Sequence, residues 1–592
     1  MLKLLKFLKP YSFQVILLLL LTGVQVYTTL RLPALMADII NNGIVAENIT
    51  AIWLAGGRMI LCAVISALGS LGTSYLSARV GSNFSRDLRT AVFTKIIHFN
   101  LNDTKAFSTA SLITRTTNDV TQVRQAVTMM LSMMLRAPRF CIISFVMAIQ
   151  TAPDMSWIMA IGVSAVLISI ITILTIVMPK FRIFQKMIDR ITLLTRENLT
   201  GLRVIRAFNN EKLEKKKFMK TNEDLTKLLI FIDRVLELEN PLVNIIFNGT
   251  TLLCSWIGIS LLTKDFAYLG NMSAFAQYVT HVMMSFLMLS MLFVMLPRAN
   301  VSAERINEIL KISSKIHWKK QTNGTPNKVP SVEFKNVDFS YPDAEEKVIS
   351  NVSFVAKAGE TTAFIGSTGS GKSTVVNLVP RFYETTAGEI LINGISIKEY
   401  EKEDLMRRIG FVPQRGVLFS GTVKSNIKFG APNATDEEVR HAAEIAQASS
   451  FVEKLPEKYN AHIAQGGSNV SGGQKQRLAI ARAICKKPEI YVFDDSFSAL
   501  DMKTDAKLRA ALKPETEGAV VLIVAQRIST IKDAEQIVVL DNGKVVGKGK
   551  HLELLDNCPV YTSIVKSQLS EKEFKNEMRE AEKVAKEMKN AR

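Results

Sequence analysis

Hydrophobic residues before position 300 fall into six long blocks separated by polar connections. A bilayer core is crossed by about 20 apolar residues in a helix, so each block is long enough to be a transmembrane span. The first block has no cleavage site after it, so we interpret it as a span rather than a removed signal peptide. The predicted spans are Ser12–Leu32, Ile52–Leu76, Val127–Ala148, Trp157–Val177, Leu242–Leu262 and Met272–Leu296.

Two of the polar connections, near residues 80–125 and 180–240, are long, rich in charge and helical in periodicity. We predict that the spans continue past the bilayer as helical rods, although two small cytosolic insertions would also fit this pattern. The N-terminal stretch MLKLLKFLKP predicts a short amphipathic helix on the cytosolic membrane surface.

The pattern changes after a polar, Gly- and Pro-bearing linker at residues 311–330. The stretch SVEFKNVDFSY alternates like a β-strand, and the following residues have the composition of a soluble α/β protein. We therefore predict an all-α transmembrane domain with six spans and long cytosolic helical extensions at residues 1–310. It is fused to an α/β phosphate-loop domain at residues 331–568. Residues 569–592 are charged and helix-prone, and we interpret them as a solvated extension.

The net charge of +19 does not indicate nucleic-acid binding, because its placement follows the spans. Basic residues such as Lys3 and Lys186 flank one end of the blocks, whereas Asp38–Thr50 and Thr151–Asp154 contain no Lys or Arg. This positive-inside asymmetry predicts cytosolic N- and C-termini. The compact layout and the lack of a targeting segment favour the cytoplasmic membrane of a bacterium. The five cysteines are scattered and predict neither a disulfide framework nor a metal site.

Arg136 and Arg139 fall inside the third span, where a charged side chain is costly and faces protein or water. One interpretation is that both line a central cavity and meet an anionic group of a substrate or lipid. The other is that they snorkel or pair with an acid on a neighbouring helix.

A phosphate-binding loop lies between a predicted strand, Thr362–Ile365, and a predicted helix that starts at Thr374. The G-x-x-x-x-G-K-S pattern lets backbone N–H groups curl around phosphates, so we predict an ATP site with Mg²⁺. Lys372 would reach the β- and γ-phosphates, and Ser373 would bind Mg²⁺ together with Asp494, through water, at the end of strand EIYVF. The loop consists of Gly366, Ser367, Thr368, Gly369, Ser370, Gly371, Lys372, Ser373 and Thr374.

A second anion site is predicted at NVSGGQ, where a serine and two glycines open a helix. Because the chain already has a phosphate loop, this site makes sense if it caps a nucleotide held by another subunit. Its residues are Ser471, Gly472, Gly473 and Gln474.

With these motifs in place, almost the whole chain resembles a half-transporter of the ATP-binding cassette (ABC) superfamily, of the exporter type. The resemblance implies that Tyr341 stacks on adenine and that Gln414 senses Mg²⁺ and faces the membrane helices. It also implies that Ser471–Gln474 is the signature motif acting in trans, and that Ser498–Asp501 links the two ATP sites. Leu101–Phe107 and Gly201–Phe208 resemble the coupling helices.

Two positions depart from the family pattern of a hydrolysing site, because Asp495 replaces a glutamate and Gln526 replaces a histidine. Aspartate is one methylene shorter, so its carboxylate would miss the attacking water by more than about 1 Å. Glutamine can donate a hydrogen bond but stays neutral. We predict a site that holds ATP but is impaired in hydrolysis, and a partner half-transporter of different sequence that supplies the competent site. The alternative is that Asp495 is an adequate base, with Gln526 positioning the phosphate.

The predicted function is ATP-driven export of hydrophobic or amphipathic small molecules from the cytoplasm or inner leaflet. The methionine-rich spans fit an adaptable surface, but methionine is also ordinary lipid-facing filler. Lipid or peptide export and a nucleotide-gated channel or regulatory subunit remain alternatives. A soluble DNA-repair ATPase is excluded by the six spans.

Overall fold

The computed structural model describes residues 1–262, 268–313, 316–342 and 344–590. The chain divides into two compact units, Met1–His98 with Ser108–Ile312, and Phe99–Phe107 with Ser313–Arg592. Four predicted segments have residues outside the described ones: 263–267 of the transmembrane domain, 314–315 of the linker, 343 of the α/β domain and 591–592 of the tail.

The described residues up to position 312 are almost entirely helical. Their α-helices are α1 (Ser12–Asp38), α2 (Ile49–Ile97), α3 (Leu101–Lys105), α4 (Thr109–Thr114), α5 (Val120–Met129), α6 (Arg136–Thr151), α7 (Ser156–Thr200), α8 (Leu202–Ala207), α9 (Glu211–Glu237), α10 (Glu239–Leu262) and α11 (Tyr268–Lys311).

Six helical segments among the described residues are long and apolar enough to cross a membrane. Several exceed what a bilayer requires, because α2 has 49 residues and α7 has 45. At 1.5 Å per residue, α2 is about 70 Å long, against a hydrocarbon core of about 30 Å. The prediction of six spans that continue as helical rods is therefore confirmed, and two small inserted domains are not found among the described residues. The six segments are Leu2–Val45, Ile49–Ile97, Thr109–Thr151, Pro153–Thr200, Glu211–Ser260 and Leu269–Leu289.

The third spanning segment is not a uniform α-helix. One turn of π-helix, Arg115–Asp119, separates α4 from α5, and a second, Met130–Met134, separates α5 from α6. The predicted N-terminal surface helix is present at Leu2–Tyr11, but as a 3-10 helix rather than an α-helix.

Several polar groups inside the spans donate within their own helices. The hydroxyl groups of Thr22 and Thr73 are buried and donate to carbonyl oxygens four residues earlier, each at 2.7 Å. The buried Tyr278 hydroxyl donates across helices, to the Leu30 carbonyl oxygen at 3.1 Å. This arrangement is expected where no water is present to accept hydrogen bonds.

The described residues of the second unit form three sheets, of six, four and two strands, together with their helices. Its strands are β1 (Ser331–Phe339), β2 (Ile349–Lys357), β3 (Thr361–Gly366), β4 (Ala387–Ile392), β5 (Ile395–Ser396), β6 (Ile409–Val412), β7 (Gly421–Thr422), β8 (His462–Ile463), β9 (Ile490–Asp494), β10 (Val520–Val524), β11 (Gln536–Asp541) and β12 (Lys544–Gly549). Its α-helices, after α3, are α12 (Lys372–Leu378), α13 (Lys402–Arg408), α14 (Val423–Ile427), α15 (Asp436–Ile445), α16 (Ser449–Val452), α17 (Gly472–Cys485), α18 (Met502–Glu515), α19 (Ile528–Ile531), α20 (His551–Asn557), α21 (Pro559–Gln568) and α22 (Glu571–Asn590).

The central sheet of this unit has the order β12-β11-β3-β10-β9-β6, and its inner strands are parallel. Successive residues of β10 pack into different cores: Val521 and Ile523 on one face, Leu522 on the other. Both faces are thus covered, which explains why β9 and β10 are continuous hydrophobic runs. A smaller antiparallel sheet, β2-β1-β4-β5, contributes to the second core.

Part of the predicted linker packs on the second unit. Trp318 is half-buried against its core, and the Arg381 guanidinium lies 4.7 Å from the Trp318 ring centroid. The Thr322 hydroxyl donates to the Asp404 carboxylate at 2.8 Å. The described linker residues from 316 onward therefore make specific contacts with the rest of the second unit.

The interpretation of the tail as a solvated extension is wrong for much of its length. Helix α22 buries Ala581 completely, and Phe574 and Met578 pack against the first core. These three residues recur at i, i+4 and i+7, so they form one apolar face on an otherwise charged helix. The tail is a docked amphipathic helix.

We expect Ala581→Arg to loosen α22 and to lower the free energy of unfolding of this unit by about 1–3 kcal/mol, because a long side chain cannot fit a filled core. The exposed neighbour Glu582 provides the control, since Glu582→Arg introduces the same side chain at the surface. Limited proteolysis and thermal unfolding of the full chain measure the effect. Equal behaviour of the two variants would contradict docking of α22.

Candidate functional site

Four neighbouring strands of the parallel sheet end at one edge, and each leads into a predicted site residue. The phosphate loop follows β3, Gln526 follows β10, Asp494 ends β9, and Gln414 follows β6. The register places Val524 of β10 beside Asp494 of β9. Residues that are far apart in sequence therefore converge at the carboxyl edge of the sheet, where α/β proteins bind ligands.

Two glycines of the phosphate loop have conformations that other residues would not tolerate. Gly366 has φ +158°, and a Cβ there would lie 2.0 Å from the Leu540 carbonyl oxygen. Gly371 has φ +94°, and its Cβ would lie 2.7 Å from Ile349. The loop can therefore fold tightly between β3 and α12 only because these positions lack side chains.

Lys372 bends back over the mouth of the loop. Its ammonium group donates to the Gly366 carbonyl oxygen at 2.9 Å and to the Ser367 carbonyl oxygen at 2.7 Å. Burial lowers the pKa of Lys372, while Asp495 and Asp494 act in the opposite direction. The cation is thus held where an anionic phosphate would relieve the cost of its burial.

Ser373 and Asp494 are in direct contact. The Ser373 hydroxyl donates to Oδ1 of Asp494 at 2.7 Å, and the Asp494 side chain is buried. Burial raises the pKa of Asp494, and the neighbouring Asp495 adds to this effect. A hydroxyl beside a buried carboxylate fits Mg²⁺, which takes one or two protein oxygens and phosphate oxygens from a nucleotide.

Tyr341 lies beside the phosphate loop. Its hydroxyl is 3.2 Å from the Thr374 hydroxyl, and its ring meets the rings of Phe339 and Tyr383 edge-on, with centroids 4.9 and 5.3 Å away. The predicted adenine-stacking residue is therefore held near the loop by an aromatic cluster.

The two residues that depart from the family pattern contact each other. The Asp495 Oδ2 atom accepts a hydrogen bond from Nε2 of Gln526 at 2.7 Å and one from Nε2 of Gln414 at 3.2 Å. Asp495 is buried and has φ +47°, an uncommon conformation for a residue other than glycine. One carboxylate oxygen is thus engaged by two neutral amide donors.

The signature residues begin helix α17. Ser471 is its N-cap, and its side chain and that of Gln474 form a reciprocal capping box with bonds of 3.3 and 2.9 Å. A Cβ on Gly473 would lie 3.3 Å from the Ala499 carbonyl oxygen. Asp501 caps the next helix, α18, by accepting from the Thr504 backbone N–H at 2.9 Å. Hydrogen bonds from the Thr504 side chain and from this backbone N–H lower the pKa of Asp501.

Gln476 is a residue that the sequence analysis missed. It is almost fully buried, and it accepts from the Gly416 N–H at 2.8 Å and donates to the Pro413 carbonyl oxygen at 3.0 Å. It therefore ties the signature helix to the segment on either side of Gln414. The sequence did contain a sign of this contact, because Gln476 is a polar residue at a position of α17 that faces the core.

The two arginines of the third span, both on α6 in the first unit, have different surroundings. Arg139 donates to the Leu19 carbonyl oxygen of α1 at 2.8 Å. Arg136 stacks on Phe140 at 4.9 Å, and its buried Nε atom has no hydrogen-bond partner in the described structure. Arg139 therefore pairs with a neighbouring helix, through a backbone carbonyl rather than an acid.

Comparison with protein-family models gives two matches. The ABC transporter transmembrane region matches residues 13–286, and the ABC transporter model matches residues 349–498. The second match contains the phosphate loop, the signature helix and Asp495.

Relatives match almost the whole chain. An uncharacterized ABC transporter ATP-binding protein of Mycobacterium tuberculosis is 38% identical over 571 residues, covering 95% of this chain and 97% of the relative. Another from Bacillus subtilis is 36% identical, with coverage of 96% and 98%. An ATP-dependent lipid A-core flippase of Pseudoalteromonas translucida is 30% identical, with coverage of 91% and 92%.

The fold is similar to that of a bacterial Atm1-family ABC exporter solved with ATP bound. The TM-score is 0.77, and the match covers 95% of this chain and 99% of that chain. At 24% identity this similarity shows the fold alone. It confirms the predicted class, a helical transmembrane domain fused to an ATP-binding α/β domain.

We expect Gln476→Met to lower the free energy of unfolding by about 1–3 kcal/mol, because a buried acceptor and a buried donor lose their partner. The exposed Gln465 provides a control, since Gln465→Met makes the same change without a buried bond. Chemical denaturation of the full chain measures both. Equal stability of the two variants would contradict a structural role for Gln476.

Proposed function

Because this chain belongs to the ABC transporter family and joins a transmembrane domain to one ATP-binding domain, we propose that it is half of a heterodimeric exporter. In this proposal the chain binds ATP and Mg²⁺ at a site with impaired hydrolysis. It also donates its signature motif to the competent site of an unlike partner. Transport moves hydrophobic or amphipathic molecules out of the cytoplasm or the inner leaflet.

The observation that carries the proposal is the pairing of Asp495 with two glutamine amides at 2.7 and 3.2 Å. Hydrolysis requires a carboxylate oriented toward a water in line with the γ-phosphate. Here the carboxylate is short, and Oδ2 is bound by Gln526 and Gln414. A misplacement of about 1 Å can reduce the rate by roughly 100-fold, so this site would hold ATP much longer than it turns ATP over.

The binding elements of the same site are complete. Lys372 supplies the cation for the phosphates, Ser373 and Asp494 would hold Mg²⁺ with Gln414 nearby, and Tyr341 offers a ring to adenine. Bound Mg²⁺ would neutralise charge on the phosphates and fix their orientation. The chain therefore keeps the residues that would bind ATP and Mg²⁺. It differs from the family pattern at the two residues that would take part in hydrolysis.

We infer a partner of different sequence because this site keeps the residues that would bind ATP and lacks those that would hydrolyse it. In the family arrangement each ATP lies between the phosphate loop of one chain and the signature of the other. The signature residues Ser471–Gln474 are intact and cap α17, so they can complete a site on the partner. A homodimer would contain only impaired sites, whereas a partner with glutamate and histidine at the two positions would provide one working site.

ATP hydrolysis would be coupled to transport because ATP binds more tightly to one conformation of the transporter than to the other. ATP held by both chains favours the conformation in which their ATP domains are joined, and hydrolysis at the competent site removes that preference. ATP retained at the Asp495 site would keep the domains associated while the other site turns over. The helical extensions, through α3 and α8 as coupling helices, would transmit the change to the spans.

The substrate class is proposed from the membrane half. Arg136 is a cation within a spanning segment, and its buried Nε atom lacks a hydrogen-bond partner among the residues that the structure describes. Such a group favours an amphipathic substrate with an anionic headgroup. A lipid is the second candidate, because a relative that shares 30% identity is a lipid A-core flippase.

The location follows from the same features. The six candidate spans support a multi-pass membrane protein, and bacterial relatives of full length support a bacterial cytoplasmic membrane. The distribution of Lys and Arg supports cytosolic N- and C-termini.

We expect the double variant Asp495→Glu, Gln526→His to hydrolyse ATP on this chain, because it restores the longer acid and a donor that can carry charge. The transporter is purified with its partner through a tag on this chain. It is photolabelled during turnover with 8-azido-ATP carrying the label on either the α- or the γ-phosphate. The native chain should retain both labels equally, and the double variant should lose most of the γ-label.

The matched control is Asp495→Asn, which keeps the length of the native side chain and should retain both labels. A native chain that already loses the γ-label as fast as the double variant would refute the impaired site.

We expect Arg136→Ala to raise the KM for export of an anionic amphiphile about tenfold, the effect of losing a charged hydrogen bond, and to leave a neutral amphiphile unaffected. Inside-out vesicles containing the full transporter measure both substrates, and Arg136→Lys should retain most of the anionic transport. Unchanged transport of both classes by Arg136→Ala and by Arg139→Ala would remove the arginines from the substrate site.

A further inference from the structure

The last residue of α21, Gln568, contacts the backbone of the segment that carries Gln526. Its Nε2 atom donates to the Gln526 carbonyl oxygen at 2.8 Å, and its Oε1 atom accepts from the Ile528 N–H at 2.9 Å. Helix α19 has no side-chain cap from Arg527, so Gln568 satisfies a donor that this short helix leaves unpaired. A single side chain thus fixes the backbone on both sides of Arg527.

Gln568 is itself held by the helix that follows it. Only Leu569 and Ser570 separate α21 from α22, and Ser570 forms a reciprocal cap with Glu573 at the start of α22. A two-residue connection allows little relative movement of α21 and α22. The position of α22 therefore constrains the end of α21.

A buried polar chain fastens α22 to the rest of the unit. His551, at the start of α20, is 2.6 Å from the Tyr561 hydroxyl through Nδ1 and contacts the Glu577 carboxylate of α22 through Nε2. An ionised carboxylate can only accept a hydrogen bond, so Nε2 of His551 donates to Glu577. Burial raises the pKa of Tyr561, so its hydroxyl stays protonated beside Nδ1.

These contacts form one continuous path to the ATP site. It runs from α22 through Glu577, His551 and Tyr561 to α21, and from Gln568 to the backbone of Gln526. The Gln526 side chain then donates to Asp495 at 2.7 Å.

We propose that Gln568 is a positioning residue for Gln526, and that the C-terminal helix α22 acts as a latch that keeps Gln568 in place. The inference rests on the proposed function, in which ATP stays bound at this site, and it gives Gln526 a part in retaining that ATP. A docked latch holds the Gln526 amide against Asp495 and slows the release of ATP. A released latch frees the Gln526 segment and shortens the lifetime of bound ATP.

Gln568 suits a test because its residue lies at the surface, so substitution should not disturb the core. Gln568→Met keeps the shape of the side chain and loses both bonds. Gln568→Glu keeps the acceptor for the Ile528 N–H but cannot donate to Gln526. Lys566→Met, at an exposed position of the same helix, is the matched control.

The measurement is the release of 8-azido-ATP from this chain in the full transporter, purified with its partner and photolabelled after dilution into unlabelled ATP. We expect Gln568→Met to release nucleotide about fivefold faster, roughly the effect of one lost hydrogen bond. Gln568→Glu should have an intermediate effect, and Lys566→Met none. Hydrogen exchange of residues 525–531 should increase in the same order.

A double-mutant cycle separates positioning from a general structural role. In a Gln526→Ala background, Gln568→Met should cause no further increase in release, because its effect passes through Gln526. Additive effects would overturn the inference, and so would an unchanged release rate in Gln568→Met when Gln526→Ala speeds release. If Gln526→Ala itself does not change the release rate, the inference fails, whereas the proposed function is judged separately by the retention of the γ-label.

The latch is tested separately with Glu577→Ala, which removes the partner of His551. We expect faster release of nucleotide, in the same direction as Gln568→Met and smaller. Increased hydrogen exchange in α22 with unchanged release would refute the connection between the latch and the ATP site.

Discussion

The hydrogen bonds from Gln526 and Gln414 to one oxygen of Asp495 bring together the features that decide what this site can do. A carboxylate that polarises water must point its oxygen into the space next to the γ-phosphate. A shorter side chain stays at the wall of the site, within reach of amides on the neighbouring strand ends. In the proposed function the site therefore binds ATP within a closed polar network, and its carboxylate is not oriented toward a water.

This network depends on the parallel sheet. Strands β3, β10, β9 and β6 lie side by side, so the residues that follow them meet at one edge although they span more than 150 positions of sequence. The sheet is buried on both faces by two apolar cores, which fixes its register and therefore the spacing of the polar groups. The membrane half follows another constraint, since buried hydroxyl groups such as those of Thr22 and Thr73 donate to carbonyl oxygens of their own helices.

The sequence predicted the features that depend on residues close together along the chain. Gly366–Thr374 and Ser471–Gln474 are contiguous motifs whose backbone requirements are visible in their residues, and spans are visible in hydropathy. Gln476 and Gln568 were not predicted, because their partners lie about 60 and 40 positions away and are set by packing. The π-helical turns of the third spanning segment also have no local signal. The docking of α22 did have one, in the spacing of Phe574, Met578 and Ala581, but the surrounding charges obscured it.

The proposed function would account for a chain that keeps the residues of a phosphate loop and differs from the family pattern at Asp495 and Gln526. The most direct test is the ATPase activity of this chain purified alone and reconstituted in lipid. The account predicts slow hydrolysis that Asp495→Asn leaves nearly unchanged. Rapid hydrolysis that Asp495→Asn abolishes would show that the short carboxylate is an effective base, and would contradict the account.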